Sequence, residues 1–210
     1  KENLNELDRL KITSIHSTDP DLAYLFRHIA THEVAYRSMP RATRIDLHDR
    51  LARYLELTSV SNPPLDVLAF HYEQAGNQEK QREYLQKAGD KAKASYANET
   101  ALEYYGKLLP LLIKSEEKIS FHLKRGEIFQ LLGKWIDTES EYQAALDISQ
   151  QINMPTSIAL SQKSMGILCT AQGNLEDALN WLQNAFSTYE KLEDKLGLSQ
   201  TLNQIGAVHW

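Results

Sequence analysis

Four groups of residues have the types and spacing that chemistry needs. His28 and His32 stand four apart with Glu33 adjacent, so on a helix both rings would face one ion. A zinc protease places its glutamate directly after the first histidine, and here that position is Ile29. A structural zinc site also wants thiolates or further histidines nearby, so capping or packing is the reading for this pair. Cys169, the only cysteine, is a candidate nucleophile, but it falls on the apolar side of a helical pattern. A thiol in an apolar seat has a raised pKa and is inert. Nine glycines are present, and no two lie closer than seven residues. A phosphate loop needs clustered glycines that turn their N–H groups inward, so ATP binding by this segment is not expected. Arg37, Arg41, Arg44, Arg50 and Arg53 form a basic run that could meet phosphate or guanine. Asp46 and Asp49 interrupt it, which suits a solvated helix face or a docking face better. No pair of carboxylates and no Ser/His/Asp set stands out. The expectation is a non-catalytic chain without cofactor or metal.

The elements that must position these residues are helical. Gly126, Gly166 and Gly206 lie 40 residues apart, as do Gly133 and Gly173, and Ala145 and Ala185. Such phasing marks an internal repeat. In each unit a glycine on a first helix permits close approach of a neighbour, and a second glycine seven positions later suits a turn with φ > 0. A second helix follows. Its apolar stripe is Leu175, Ala178, Leu179, Leu182, Ala185, Phe186, Tyr189 and Leu192 in one unit. In the other it is Trp135, Tyr142, Ala145, Leu146 and Ile152. Neither hairpin buries its stripe alone, so stacking must supply the core.

Upstream, Leu68 to Gly76 ends a helix at another glycine turn, and Glu79–Tyr96 reads as a long helix. Asn98 suits an N-cap for a helix over Glu99–Lys114, with a kink or stop near Leu109 because Pro110 follows. Ser59 to Pro64 reads as a linker, since Pro-Pro forbids helix. Before it come a helix over Leu4–Leu10, a strand over Lys11–His16, a turn at Thr18–Asp21, and a second strand over Leu22–Arg27. Helices over His28–Met39 and Pro40–Leu57 complete this part. The expected divisions are residues 1–58, residues 59–115 as degenerate helical repeats, and residues 116–210 as regular repeats with the last one truncated.

Charge and composition bound the function. Residues 1–58 carry nine basic and nine acidic side chains, so the whole net charge of −5 falls on residues 59–210. An acidic array repels polyphosphates, and nucleic acid is not an expected partner for it. No apolar run approaches a membrane span, and a single cysteine fits a reducing, cytoplasmic compartment. A start at Lys1 and a stop at Trp210 inside a helical pattern suit a piece of a longer chain.

Two resemblances follow from these residues. Segments 126–146 and 166–185 resemble the tetratricopeptide repeat in the helix glycine, the turn glycine, Ala178, and the pair Tyr142 and Ala145. They depart from it in a period of 40 against the usual ~34, and in Thr138 at the slot of Ala178. HEAT-type hairpins share the length but lack the paired glycines. The implied fold is all-α: a tetratricopeptide-like right-handed superhelix of helical hairpins, behind a small winged-helix-like N-terminal unit. Residues 24–36 and 69–76 are similar to stretches of bacterial STAND-type signalling ATPases, many of which carry an adenylate cyclase or kinase domain. That resemblance implies a protein–protein interaction and regulatory scaffold segment of a larger signal-transduction ATPase. The alternative is a DNA-binding regulator fragment using the Arg37–Arg53 helix.

Arrays of this kind bind peptides or partner helices along the inner faces of their first helices. Counting from each first-helix glycine, the inward positions are Leu123, Glu127, Gln130, Lys163, Ile167, Thr170 and Asn203. The chaperone-binding subclass of such repeats carries a Lys/Asn/Arg clamp for a terminal carboxylate, and Glu127 stands where its first Asn should be, so that clamp is not expected. Partners would be a protein or peptide on the concave face, and other domains of the parent chain.

Overall fold

In a computed structural model, residues 2–17, 23–59 and 62–209 are described. They divide by packing into two compact units, Lys1–Gln78 and Glu79–Trp210.

The first unit opens with α1 (Glu2–Arg9), which ends where Lys11 takes a positive φ of 55° and Ile12 N–H bonds back to Leu7 C=O. The strand expected from Lys11 therefore starts later. β1 (Thr13–Ser17) and β2 (Ala23–Phe26) pair antiparallel with Thr13 opposite Phe26, and a bulge lies between Ile15 and Ser17. The expected turn at Thr18–Asp21 lies outside the described residues.

α2 (Ile29–Ser38) and α3 (Arg41–Thr58) are separate helices. Met39 is extended, because the ring of Pro40 keeps the residue before it out of the helical region. Arg37 therefore sits on a different helix from Arg41 and Arg44, and the three do not form one stripe. α4 (Leu65–Gln74) packs on α3. The Tyr72 hydroxyl donates to Glu56, and Ala52, Leu68 and Tyr72 are fully buried.

The second unit is a stack of antiparallel hairpins. α5 (Gln78–Ala94) and α6 (Asn98–Leu108) come first, then a 3₁₀ turn at Leu109–Leu111 where Pro110 removes a donor. Asn98 is the first residue of α6 and not its cap; Ala97 precedes it, and no side chain caps that end. Next come α7 (Ser115–Leu131), α8 (Trp135–Gln151), α9 (Pro155–Ala171), α10 (Leu175–Lys191) and α11 (Lys195–Val208). From α7 to α10 every helix has 17 residues.

Three residues join each pair. The middle one has positive φ at Gly133 (69°), Asn153 (49°), Gly173 (80°) and Glu193 (54°). In each turn the next N–H reaches a carbonyl five residues back: Lys134 to Phe129, Met154 to Ser149, Asn174 to Cys169, Asp194 to Tyr189. This is the Schellman closure, which satisfies carbonyls orphaned at a helix end. A 17-residue helix plus a three-residue turn, taken twice, accounts for the 40-residue period. Asn174 and Asp194 then serve as side-chain N-caps of the helices that follow.

Burial follows the middle of each stripe. Tyr142, Ala145 and Leu146 on α8, and Ala178, Leu182, Ala185 and Tyr189 on α10, are buried. The stripe ends Trp135, Ile152, Leu175 and Leu192 are exposed. One core joins Ile119 and Leu123 of α7 to Tyr142 and Ala145 of α8 and to Met165 and Leu168 of α9, so consecutive hairpins share it. Thr138 fits its small slot because its buried hydroxyl donates to Lys134 C=O at 2.9 Å and so is not left unpaired. The chain thus forms a tetratricopeptide-like superhelical arrangement of hairpins preceded by a small β-hairpin, the part consistent with a winged-helix-like remnant.

Candidate partner-binding groove

The first helices α5, α7, α9 and α11 supply one face of the second unit. α7 packs against α9 and α9 against α11, so this face is continuous there. Close approach depends on glycine. A Cβ on Gly126 would overlap the Tyr142 ring, and one on Gly166 would meet Leu182 Cγ at 2.6 Å. Gly206 keeps the sequence phase, yet nothing lies within 4 Å of its Cβ position. The clashing partner of the other two stands sixteen residues later, on the second helix of the same hairpin.

The sequence-predicted groove residues separate into three groups. Leu123 is 8% exposed and belongs to the shared core, so it leaves the binding surface. Glu127, Gln130 and Thr170 are held by their own array. Glu127 accepts from Lys93 Nζ at 2.8 Å, Gln130 Oε1 accepts from the Tyr142 hydroxyl at 2.9 Å, and the Thr170 hydroxyl donates to Gly166 C=O at 2.9 Å. Lys163, Ile167 and Asn203 converge. Together with Gln200 and Gln204 they line a cleft of about 180 Å³ between α9 and α11. Lys163 Nζ donates to Gln200 Oε1 at 2.6 Å, and burial pulls its pKa down against the opposing influence of Asp194. Lys163 is the only charged residue on α9, and Lys195 the only one on α11. The cleft is therefore an amide-rich surface whose lining carries one charge, the Lys163 ammonium.

Gln200 and Gln204 were not anticipated, although both lie within one turn of Asn203. A second cleft, of about 470 Å³, was also missed. It runs between α5 and α7 and includes Arg82, Glu83, Gln86, Phe121 and Lys124. Its charges are largely answered from within: Lys87 and Lys80 meet Glu83, and Lys124 Nζ donates to Asp90 at 3.1 Å. Burial pushes the Asp90 pKa up, but hydrogen bonds from Tyr105 and Lys124 outweigh it and hold the carboxylate lower than usual. The unit behind this cleft reads in sequence only as a degenerate repeat, because Tyr96, at φ 59°, stands where the later turns have Gly133 and Gly173. The Tyr105 ring covers Gly89 as Tyr142 covers Gly126.

The remaining candidates take structural places. Cys169 is 9% exposed in a cluster with Ala178, Leu182 and Val208, and burial pushes its thiol pKa up, with Asp177 and Glu139 adding to it. His28 precedes α2, and His32 stacks near Tyr36. Among the described residues no group of three or more His, Cys, Asp and Glu could hold a metal ion. Arg37, Arg50 and Arg53 each pair with a carboxylate one turn upstream (Glu33, Asp46 and Asp49), which removes three cations from any nucleic-acid face. No helix among the described residues is long and apolar enough to cross a membrane.

Residues 119–191 match the tetratricopeptide repeat family. No curated protein matches the sequence. Among solved structures, the chain is similar to a signal transduction ATPase with numerous domains (STAND) that has a tetratricopeptide repeat sensor, from Pyrococcus horikoshii. The two are 15% identical with a TM-score of 0.65, over 86% of this chain and 29% of that one. A Rap conjugation gene regulator of the plasmid pLS20, solved with the Phr* peptide, is 13% identical with a TM-score of 0.61, over 81% of this chain and 58% of that one. BtubC from P. vanneervenii is 18% identical with a TM-score of 0.53, over 82% and 84% of the two chains. At these identities the likeness is one of fold. The class so defined is a helical-repeat architecture of the tetratricopeptide type, with the repeat itself matched over residues 119–191.

Proposed function

We propose that this chain is a cytoplasmic, partner-reading regulatory segment of a larger STAND-type signal-transduction ATPase, with the cleft between α9 and α11 as its recognition site. The observation that carries the reading is the cleft itself. Lys163 sits among Ile167, Gln200, Asn203 and Gln204 on helices that carry no other charge but Lys195. Carboxamides pair with a peptide main chain in either polarity, and a partly buried ammonium selects one carboxylate. The preferred ligand is thus an extended peptide with a single acidic group, which would take over the hydrogen bond now given to Gln200. Ligand binding would bias a nucleotide-driven switch elsewhere in the parent only through its differential affinity for the two states.

Two further features support the larger assembly. Residues 24–36 and 69–76 resemble segments of such ATPases, and the first unit exposes Ile29 (80%), Val34 (70%) and Leu57 (78%), as side chains that meet another domain do. An adenylate cyclase or kinase partner domain would follow from the same resemblance.

The test is selection of a phage-displayed random peptide library on the full chain. Enrichment of acidic peptides whose binding is lost in Lys163→Glu and weakened in Asn203→Ala supports the reading. Equal binding by both variants, or no enrichment, refutes it. A phosphate loop encoded upstream of Lys1 would tie the segment to an ATPase, and a chain without one would break that link.

A further inference from the structure

Within the first unit, α2, α3 and α4 line an open cavity of about 300 Å³, with Tyr36, Arg41, Arg44, His48, Glu73 and Gln74 among its walls. The arginines here differ from the rest of the basic run. Among the described residues Arg37, Arg50 and Arg53 have carboxylate partners, whereas no carboxylate lies within ion-pair distance of Arg41 or Arg44. The Arg44 guanidinium is held over the Tyr36 ring, 5.1 Å from its centroid. Stacking engages the face of a guanidinium and leaves its in-plane N–H groups free to fork onto an oxyanion. The Tyr36 hydroxyl meets His48 Nε2 at 2.8 Å, and His48 Nδ1 meets His71 Nδ1 at 2.7 Å, so the cavity wall continues into a hydrogen-bonded chain from α2 through α3 to α4.

We propose that this cavity binds a tetrahedral oxyanion of the phosphate and sulfate class between Arg41 and Arg44, and that binding is linked to uptake of one proton by the His48–His71 pair. The geometry permits one proton and no more. With both rings neutral, a single N–H serves the nitrogen–nitrogen contact. A proton added to His48 gives it two donors, one for His71 Nδ1 and one for the Tyr36 oxygen, and every contact survives. A second proton would set N–H against N–H and part the rings.

The charged and titratable groups that line the cavity with His48 are Tyr36 from α2, Arg41 and Arg44 from α3, and Glu73 from α4. Burial first, and then the positive charge of Arg44, lowers the His48 pKa. Burial first, and then His48, lowers that of His71. An anion on Arg44 cancels part of that repulsion, and reciprocity then requires tighter anion binding as the pair gains its proton. Glu73 opposes an anion and sets a limit on affinity. The site is independent of the α9–α11 cleft.

Sulfate is the decisive probe, because it stays dianionic through the histidine range, so any pH dependence of its binding belongs to the protein. Titration of the full chain with sodium sulfate, followed by NMR at the His48 ring and the Arg44 Nε, should give saturable shifts. Affinity should rise as the pH falls from about 7.5 to about 5.5. Arg44→Gln should weaken binding about tenfold or more, Glu73→Gln should tighten it, and His48→Gln should flatten the pH profile. Shifts that do not saturate, or that are indifferent to Arg41→Gln and Arg44→Gln, overturn the site. A flat profile in the unmodified chain overturns the proton linkage. Phosphoserine beside inorganic phosphate separates the two sources: tighter binding of the former assigns a phosphate ester, equal binding the free ion.

Discussion

The ring of Tyr142 on α8 occupies the space that a Cβ on Gly126 of α7 would need, while its hydroxyl donates to Gln130 one turn further along α7. Ring and hydroxyl have separable roles. Gly126→Ala forces a 2%-exposed side chain out of its seat and should destabilise the chain by about 1 to 3 kcal/mol. Tyr142→Phe keeps the packing and loses one hydrogen bond, worth about 1 kcal/mol. Urea denaturation of both variants should show this order. A Gly126→Ala chain as stable as the parent would mean that the helices have slack.

The turns between helices carry a second prediction. Glu193 holds φ at 54° in the place that Gly173 holds at 80°. A side chain in the left-handed region costs about 1 to 2 kcal/mol, offset in part by glycine's greater freedom in the unfolded chain. Glu193→Gly should therefore raise stability by up to about 1 kcal/mol, and Gly173→Ala should lower it by about 1 kcal/mol. Melting temperatures moving in opposite directions would confirm it.

Ion pairs should divide by exposure. Glu141 accepts from Arg125 Nη2 at 2.9 Å and meets His122 Nδ1 at 2.8 Å, and its side chain is only 12% exposed. Removing its charge in Glu141→Gln strands a partly buried guanidinium and should cost about 2 to 3 kcal/mol. The Lys93–Glu127 pair is much more open, and Lys93→Ala should change stability by less than about 0.5 kcal/mol. Similar losses in both variants would contradict the ordering.

Acid should act on the first unit through His48 and His71, whose pKa values are lowered mainly by burial. The folded state resists protonation where the unfolded chain, near the ordinary value of about 6.5, accepts it. Their contribution is complete above that value and is lost as the pH falls below it toward the lowered folded values. Unfolding curves collected across that range should show the decline. A His48→Gln, His71→Gln double variant should show a shallower one.

What residues alone determined was the rhythm of the array. Glycines at 126, 133, 166 and 173 mark backbone positions that only a close neighbour or a left-handed turn demands. That constraint is local, so it is written in residue type. The same rule failed where another residue bears the strain: Tyr96 holds the turn conformation without being glycine, and the α5–α6 unit went unrecognised as part of the regular series.

Tertiary structure alone decided which side chains remain for a partner. Leu123 and Ile167 are both apolar first-helix residues at inward positions, yet one is sealed in a three-helix core and the other lines a cleft. The difference is set by the neighbouring hairpin and not by the residue or its helix. His48 and His71 are 23 positions apart in sequence and share no helical face, so no spacing rule joins them. Only the packing of α3 on α4 brings their nitrogens together. Periodicity encodes the contacts a helix makes with its own turn, whereas groove and cavity arise from contacts between helices.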